Sequence, residues 1–321
     1  MRTPVTRIAA LLLAGAAAGA AADYPDRPLR LIVPQAAGSA TDTAARILAN
    51  DLAPELHQQI IVDNRPGGAF IIGMDLIAKA PPDGYTLGFV PIGAIAISRS
   101  MVQKLPYDPD RDFQAIGLAY TGQLLLAVYP GLPVKSVAEL IEYARRNPDR
   151  LLNASSGNGS PGHVGGELFK QMTGVSMQHV PYKGGAQAIN DLMAGHVQVM
   201  FESLNSISTF AHSGRVLGLA VSGPQRSNAF PDLPTIAEAG VPGYAVTTWA
   251  GVLGPAGVSR EVVAAVNAAI NRAVRSADFR QHYAAIGNEA AGGTPEEFAE
   301  LIRRDSARWA DVVRRSGARI E

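Results

Sequence analysis

The sequence contains no cysteine, so it can form no disulfide and offers no thiol nucleophile and no side chain for a cysteine-linked lipid. Its charges cancel, with 28 lysines and arginines against 28 acidic residues, which leaves no overall basic field to hold nucleic acid. Aromatic residues make up only 6% of the chain, but 47% of it is hydrophobic, which excludes disorder. The 321 residues are enough for two globular domains.

The chain also lacks a stretch apolar enough to span a membrane. The nearest candidate is at the N-terminus, where Arg2 and Arg7 precede an apolar run that ends in Ala20-Ala21-Ala22. This run is short and rich in alanine, and small residues occupy its end, as in a cleavable secretory signal. We therefore predict a signal peptide over residues 1–22, export to the periplasm and no lipid anchor.

The usual sequence motifs of enzymes are missing as well. No G-x-S-x-G turn, H-E-x-x-H helix or phosphate-binding lysine loop occurs, and the six histidines are scattered. Only His163 and Glu167 have a helical spacing that could place two metal ligands on one face, whereas structural zinc normally takes four. The motifs therefore predict no catalytic residue, no metal site and no cofactor.

What the sequence does show is an alternation of short β-rich runs with amphipathic segments, which is typical of parallel sheets flanked by helices. Nine strands are predicted, over Leu29–Pro34, Gln59–Asn64, Thr86–Val90, Leu124–Tyr129, Leu151–Ala154, Met177–Val180, Val197–Phe201, Val216–Val221 and Thr248–Leu253. Capping boxes at Ser136 and Thr294 and a cap at Ser259 predict the starts of three helices.

One loop has the spacing of a dinucleotide-binding motif. Gly157 to Gly162 spell G-x-G-x-x-G between a predicted strand and a predicted helix, but no carboxylate lies between Glu167 and Asp191, where the ribose would need one. The loop retains converging backbone N–H groups and a helix N-terminus, which together favour an anion. The alternative is an ordinary glycine-rich turn.

Two more loops of this kind follow strands near the N-terminus. Small residues lead from Gln35 to a predicted helix cap at Thr41 or Asp42, and a second glycine-rich stretch runs over residues 64–69. For Asp42 the alternative is a cap with no further role. Three such loops at strand ends predict a cleft lined by backbone donors, which suits a small carboxylate.

At this level the chain resembles the Bug-type extracytoplasmic solute receptors, the substrate-binding subunits of tripartite tricarboxylate transporters. The resemblance covers the whole chain after the signal, and the stretches that carry it include RLIVPQAAGSATDTAARILANDL, IIVDNRPGGAF, NASSGNGSPGHVGGELFKQMTG and QHVPYKGGAQAINDLMAGHVQVMFES. It implies an α/β periplasmic binding protein fold, with two doubly wound lobes and a hinged ligand cleft. We place lobe 1 at residues 23–123 plus 225–321 and lobe 2 at residues 124–224.

The resemblance also implies a function. Such a receptor closes on a small carboxylate and passes it to membrane transporter subunits, without making or breaking a bond. Nothing in the chain indicates a coiled coil, so we expect a monomer. Two alternatives remain open at this point: a sensing receptor of the same fold that partners a membrane kinase, and a periplasmic enzyme acting on a carboxylated substrate.

The residues expected at the ligand combine the resemblance with the loops described above. They are Gln35, Ala36, Ala37, Gly38, Ser39, Asp42, Ala69, Phe70, Ser156, Asn158, Gly159, Ser160, His163 and Glu202. Phe70 adds bulk where the family tends to have small residues, and an aromatic ring can stack on a planar apolar group. It therefore favours one carboxylate on a compact or aromatic body over a tricarboxylate, unless Phe70 turns inward to pack beneath the next helix.

Overall fold

The computed structural model of the protein describes residues 24–319. The signal peptide predicted for residues 1–22 lies outside the described residues. The strands are β1 (Leu29–Val33), β2 (Ile60–Asn64), β3 (Thr86–Pro91), β4 (Phe113–Val128), β5 (Leu152–Ser155), β6 (Gln178–Pro181), β7 (Val199–Ser203), β8 (Leu217–Val221), β9 (Thr247–Pro255) and β10 (Asn288–Ala290).

Helices alternate with these strands, as the periodicity predicts. They are α1 (Ala40–Leu56), α2 (Ile71–Ala78), α3 (Val137–Arg146), α4 (Pro161–Thr173), α5 (Gly185–Ala194), α6 (Leu204–His212), α7 (Arg260–Ala273), α8 (Ala277–Ala285) and α9 (Pro295–Ser316), with a π-helical turn at Gly93–Ile97. None of the helices between residues 24 and 319 is long and apolar enough to cross a membrane.

The long strand β4 joins two halves of one mixed sheet. Its N-terminal part pairs with β9 and β10, and its C-terminal part pairs with β7 and β8. We call β1, β2, β3, β9 and β10 the first half and β5 to β8 the second half. Each half contains three neighbouring parallel strands, β2-β1-β3 and β7-β5-β6. The predicted α/β fold is confirmed.

Two strand predictions need correction. The strand expected at Leu124–Tyr129 begins eleven residues earlier, at Phe113, because β4 continues from one half into the other. The short strand β10 was not predicted, since it has only three residues, Asn288–Ala290, and two of them are polar. The remaining predicted strands agree with the structure to within two residues at each end.

Most of the predicted helix caps are confirmed. Thr294 forms a complete capping box with Glu297, and Ser259 accepts from the backbone of Val262. Ser136 also caps its helix, but Glu139 does not complete the box, because its carboxylate accepts from the backbone N–H of Lys135 instead.

The last helix, α9, packs against both halves. Trp249 of β9 is buried and donates through its indole N–H to Asp305 of α9, at 2.7 Å. On the other side, the side chain of Gln171 in α4 donates to the backbone carbonyl of Val312, at 2.9 Å. One apolar cluster, which includes Phe169, Trp249 and Phe298, therefore continues beneath both halves.

Candidate functional site

A large cavity lies between the two halves, at the carboxyl ends of both sets of parallel strands. Its volume is about 1040 Å³, and its wall includes residues from or just after all six of these strands. Glycine-rich loops follow the strands here, so the wall is formed largely by backbone and short side chains. Carboxyl ends of parallel strands are where α/β sheets usually bind ligands.

Five helices begin at this wall. Their N-cap residues, which all line the cavity, are Ser39, Phe70, Ser160, Gly184 and Ser203, for α1, α2, α4, α5 and α6 respectively. Each helix start carries N–H groups without helical partners and about half a positive charge. Because the five starts face one space, the cavity favours a negative charge, although Lys183 is the only lysine among the described residues that line it.

The five starts differ in how many N–H groups remain for a ligand. At α4, Pro161 has no N–H and Ser160 accepts from His163, so Gly162 alone remains of the first three residues. At α5 and α6 no side chain caps the helix, and the first three N–H groups of each have no partner among the described residues. These two helices, both in the second half, offer the most donors.

The first-half loop is held by Asp42. Its carboxylate accepts from the backbone N–H of Gly38, at 2.8 Å, and from the guanidinium of Arg46, at 3.1 Å. Burial alone would raise the pKa of Asp42, but these hydrogen bonds outweigh it and hold the pKa below its usual value. The predicted cap at Thr41 or Asp42 is wrong, because the side chain of Ser39 caps α1, and Asp42 fixes the loop from the first turn.

Phe70 occupies an unusual backbone position at the start of α2. Its φ is +80°, in the left-handed region that bulky residues rarely adopt, and the preceding Ala69 has a φ of +50°. The ring is half-buried, lines the cavity and lies so close to Gly93 that a Cβ there would be 3.2 Å from the ring tip. The ring therefore packs against the core and faces the cavity at the same time.

The second-half loop is supported from beneath by two stacked histidines. The rings of His163 and His179 lie 3.8 Å apart and almost parallel, and Nδ1 of His163 accepts from the N–H of Gly159 at 3.3 Å. His179 shares a 2.7 Å hydrogen bond with the hydroxyl of Ser155. Burial lowers the pKa of His163 to about 4 and that of His179 to about 3, so both rings are neutral at neutral pH.

Glu202 is the acidic residue of the cavity wall. It is 3% exposed, at the end of β7, and one of its carboxyl oxygens accepts from the N–H of Ser203 at 3.0 Å. Burial raises the pKa of Glu202 to about 7, although hydrogen bonding by the backbone of Ser203 and by the side chains of Ser206 and Ser156 acts to lower it. The group is therefore about half protonated at neutral pH.

Most of the residues predicted from the sequence are brought together at this cavity. Those that line it are Gln35, Ala36, Gly38, Ser39, Ala69, Phe70, Ser156, Asn158, Ser160 and Glu202. Four others lie outside the wall: Ala37 is exposed, Asp42 and His163 are buried beneath their loops, and Gly159 uses its N–H on His163. Of these four, Asp42, His163 and Gly159 hold the loops in place through hydrogen bonds.

Other lining residues were not predicted. The loop before α5 contributes Tyr182, Lys183 and Gly184, and the start of α6 contributes Asn205 and Ser206. The glycine pair Gly184-Gly185, which three residues separate from the strand predicted at Met177–Val180, was the available signal for the first of these loops. For α6 no local signal exists, since its start has neither a glycine nor a side-chain cap. Among the described residues, no group of three acidic or histidine side chains could hold a metal ion.

Structures of known proteins share this architecture. The R. palustris protein Rpa4515 with adipate has a TM-score of 0.88 and 37% identity, and the match covers 93% of this chain and 100% of that one. The periplasmic binding protein BugD has a TM-score of 0.85 and 30% identity, over 93% and 100%. MatC from Rhodopseudomonas palustris, with bound malate, has a TM-score of 0.83 and 31% identity, over 90% and 100%.

Fold and cavity thus define a solute-binding protein of the type found in the periplasm. The chain belongs to the tripartite tricarboxylate transporter family receptors, whose TctC family model matches residues 44–318. This confirms the resemblance seen in the sequence. Members of this family are receptors, so the protein binds its solute and is not an enzyme.

Proposed function

We propose that the protein captures a small carboxylate in the cavity between its halves and presents it to the membrane subunits of a tripartite tricarboxylate-type transporter. The observation that carries this proposal is the meeting of five helix starts at one wall, with the donors of α5 and α6 left without partners in the described chain. Adipate and malate, bound by two structural neighbours, are ligands of this chemistry.

The two halves serve as the lobes of a hinge, with lobe 1 at residues 23–123 plus 225–321 and lobe 2 at residues 124–224. The pairing of β4 supports this boundary, because Gln123 still pairs with Thr247 of β9 whereas Leu124 pairs with Ser203 of β7. A contact between the side chain of Asn205 and the backbone carbonyl of Ala40, at 3.4 Å, bridges the halves beside the cavity. Closure on a ligand would strengthen such contacts.

One ligand carboxylate binds at the starts of α4, α5 and α6, and the body of the ligand lies against Phe70. Ser160 contributes its O–H, since its oxygen already accepts from His163 while its proton remains available. The ring of Phe70 gives the opposite wall an apolar face. A compact or aromatic acid fits this combination.

The proposed setting is the periplasm, reached through the signal predicted at residues 1–22, and the proposed state is a monomer. Size-exclusion chromatography with light scattering of exported material tests both features. A single species without residues 1–22 is expected. A stable dimer, or a retained N-terminus, would contradict the respective statement.

A thermal-shift screen tests the function itself. Adipate, malate, benzoate and citrate are compared with adipamide, which has the carbon chain of adipate but no charge. A ligand that binds only the folded protein stabilises it by about 2.7 kcal/mol at a hundredfold excess over Kd. We expect such an effect from at least one acid and none from adipamide. Stabilisation by no acid, or equally by the diamide, would overturn the proposal.

A further inference from the structure

Glu202 places a carboxyl oxygen without a partner against the proposed ligand site. Its Oε1 accepts from the N–H of Ser203, whereas Oε2 is buried and has no partner at hydrogen-bond distance and angle among residues 24–319. Burial raises the pKa of the carboxyl group, and the nearby hydroxyl groups of Ser156 and Ser206 lower it. A Cβ on Gly185 would lie 3.3 Å from Oε2 and 3.4 Å from Oε1, so the carboxyl group adjoins the start of α5, where N–H groups are also without partners in the described chain. A buried polar atom left in this state costs stability unless a ligand supplies its partner.

No cation neutralises this carboxyl group. The adjacent strand β4 presents only apolar residues over Leu124–Val128, and α6 presents hydroxyl groups. On α4, His163 is buried and neutral, and Lys170 pairs with Glu167 at 2.9 Å. Lys183, on the loop before α5, is exposed and forms no ion pair with Glu202 among the described residues. The pKa of Glu202 is correspondingly raised by burial, with no contribution from a charged neighbour.

We propose that Glu202 is protonated in the ligand-bound protein and that its Oε2–H donates a hydrogen bond to the ligand carboxylate. Because Oε1 already accepts from Ser203, the proton belongs on Oε2, which lies beside the start of α5 in the cavity wall. Glu202 thus selects a carboxylate by donating to it. This inference rests on the proposed function and adds the group that recognises the anion.

Binding of a carboxylate beside Glu202 is coupled to the uptake of a proton. Two carboxylates cannot share a buried site while both are charged, so a ligand that finds Glu202 ionised takes up one proton from solvent on binding. Simple carboxylic acids are already ionised above pH 6, so Glu202 accounts for this uptake. Above pH 7 the affinity falls by up to about tenfold for each pH unit, because the proton becomes harder to supply.

Titration calorimetry with adipate and malate tests this. Wild-type protein, measured at pH 7.5 in two buffers of different ionisation enthalpy, is expected to take up between half a proton and one proton per ligand. Its affinity should fall up to about a hundredfold between pH 7 and pH 9. In Glu202→Gln an N–H replaces the O–H, so proton uptake and most of the pH dependence should disappear. The exposed Glu289→Gln provides the matched control and should behave as wild type.

Several results would overturn the inference. Tight binding by wild-type protein without proton uptake would show that Glu202 does not donate, whether or not the variant folds. Suppose that Glu202→Gln binds more weakly and that wild-type protein prefers amino or hydroxy acids, whose N–H or O–H groups donate hydrogen bonds. Glu202 would then be an ionised acceptor rather than a protonated donor. If wild-type protein binds none of adipate, malate, benzoate and citrate, the proposed function fails together with this inference.

Discussion

Both halves present helix N-termini to the cavity, but the N–H groups of these helices are hydrogen-bonded to different extents. In the first half, the loop before α1 is closed by Ser39 and Asp42, and the first N–H of α2 is bound to the carbonyl of Gly68. In the second half, α5 and α6 begin without side-chain caps, and Glu202 has an oxygen without a partner in the described structure. In the first half, two of the first three N–H groups of α1 and of α2 lack a partner among the described residues, against all three at α5 and at α6 in the second half. The second half therefore leaves more donors for a ligand.

This difference indicates which half can contribute more binding free energy to a charged ligand. A helix start whose donors are already used gains little from a ligand, while free donors in a buried wall gain a charge-assisted bond. We therefore expect the second half to bind the charged group and the first half to shape the space around the rest of the ligand.

The largest effect is expected for glycines beneath the two loops. A Cβ at Gly162 would lie 2.1 Å from the backbone carbonyl oxygen of Phe201, whereas a Cβ at Gly38 meets nothing within 4 Å. Gly162→Ala should reduce the free energy of unfolding by about 3 kcal/mol through this clash. Gly38→Ala should cost about 1 kcal/mol, because Gly38 has a φ of +77°. Urea denaturation measures both, and equal losses would contradict the difference.

Acid should loosen the second-half loop before the first. The pKa of His163 is about 6.5 in the unfolded chain and is lowered to about 4 by burial in the fold. Neutral His163 therefore stabilises the loop fully above pH 6.5, and this stabilisation is lost as the pH falls toward 4. At pH 5 the loss is about 2 kcal/mol, or about 30-fold in local opening. Asp42, whose pKa lies below its usual value, still holds Gly38 at that pH.

Hydrogen exchange of single amides separates the two loops. After correction for intrinsic rates, the protection of Gly159 should fall between pH 7.5 and pH 5 while that of Gly38 does not. Bulk unfolding would hide this, because Glu202, with its raised pKa, destabilises the fold as pH rises from 4.5 toward 7 and so changes stability in the opposite direction. Equal loss of protection at both glycines would contradict the account of the histidine pair.

Replacing the two serine caps, Ser39 and Ser160, should have similar effects on the free energy of unfolding but different effects on ligand affinity. Ser39 and Ser160 accept from their helices at 3.2 and 3.3 Å, so each change to alanine should cost about 1 kcal/mol. Only Ser160→Ala should also weaken a carboxylate, by about 1.5–3 kcal/mol, through loss of a bond to a charged group. Denaturation and calorimetry on the same two variants decide this, and equal losses of affinity would remove the division between the halves.

Phe70→Gly should have the smallest effect on stability. Removing the ring loses contacts near Gly93, but glycine relieves the positive φ, which is worth about 1–2 kcal/mol. The expected result is a changed order of ligands, with benzoate losing affinity relative to adipate. Calorimetry with both acids measures it, and an unchanged order would mean that the ring serves only the core.

The glycine-rich loops and the capped helices could be predicted from the sequence, but the uncapped helix starts of the second half could not. Strands that end in glycine-rich loops were located because turn chemistry is local, and Thr294 and Ser259 identified their helices by side-chain caps. The uncapped starts of α5 and α6 lack that signal, although they offer the most donors. The sequence also did not show that Asp42 and His163 hold their loops by accepting from the N–H groups of Gly38 and Gly159. These hydrogen bonds form because the fold turns both side chains away from the cavity and toward the loop that precedes them.

The most direct test of the division is a backbone NMR titration of the labelled protein with adipate. Amides that donate to a carboxylate move downfield, so the account predicts the largest saturable shifts at Gly185 and Ala186 of α5 and at Asn205 and Ser206 of α6. The corresponding amides of α1, Ala40 and Thr41, should move less. Larger shifts at α1 than at α5 and α6, or saturable shifts outside the cavity alone, would contradict the claim that the second half binds the charge.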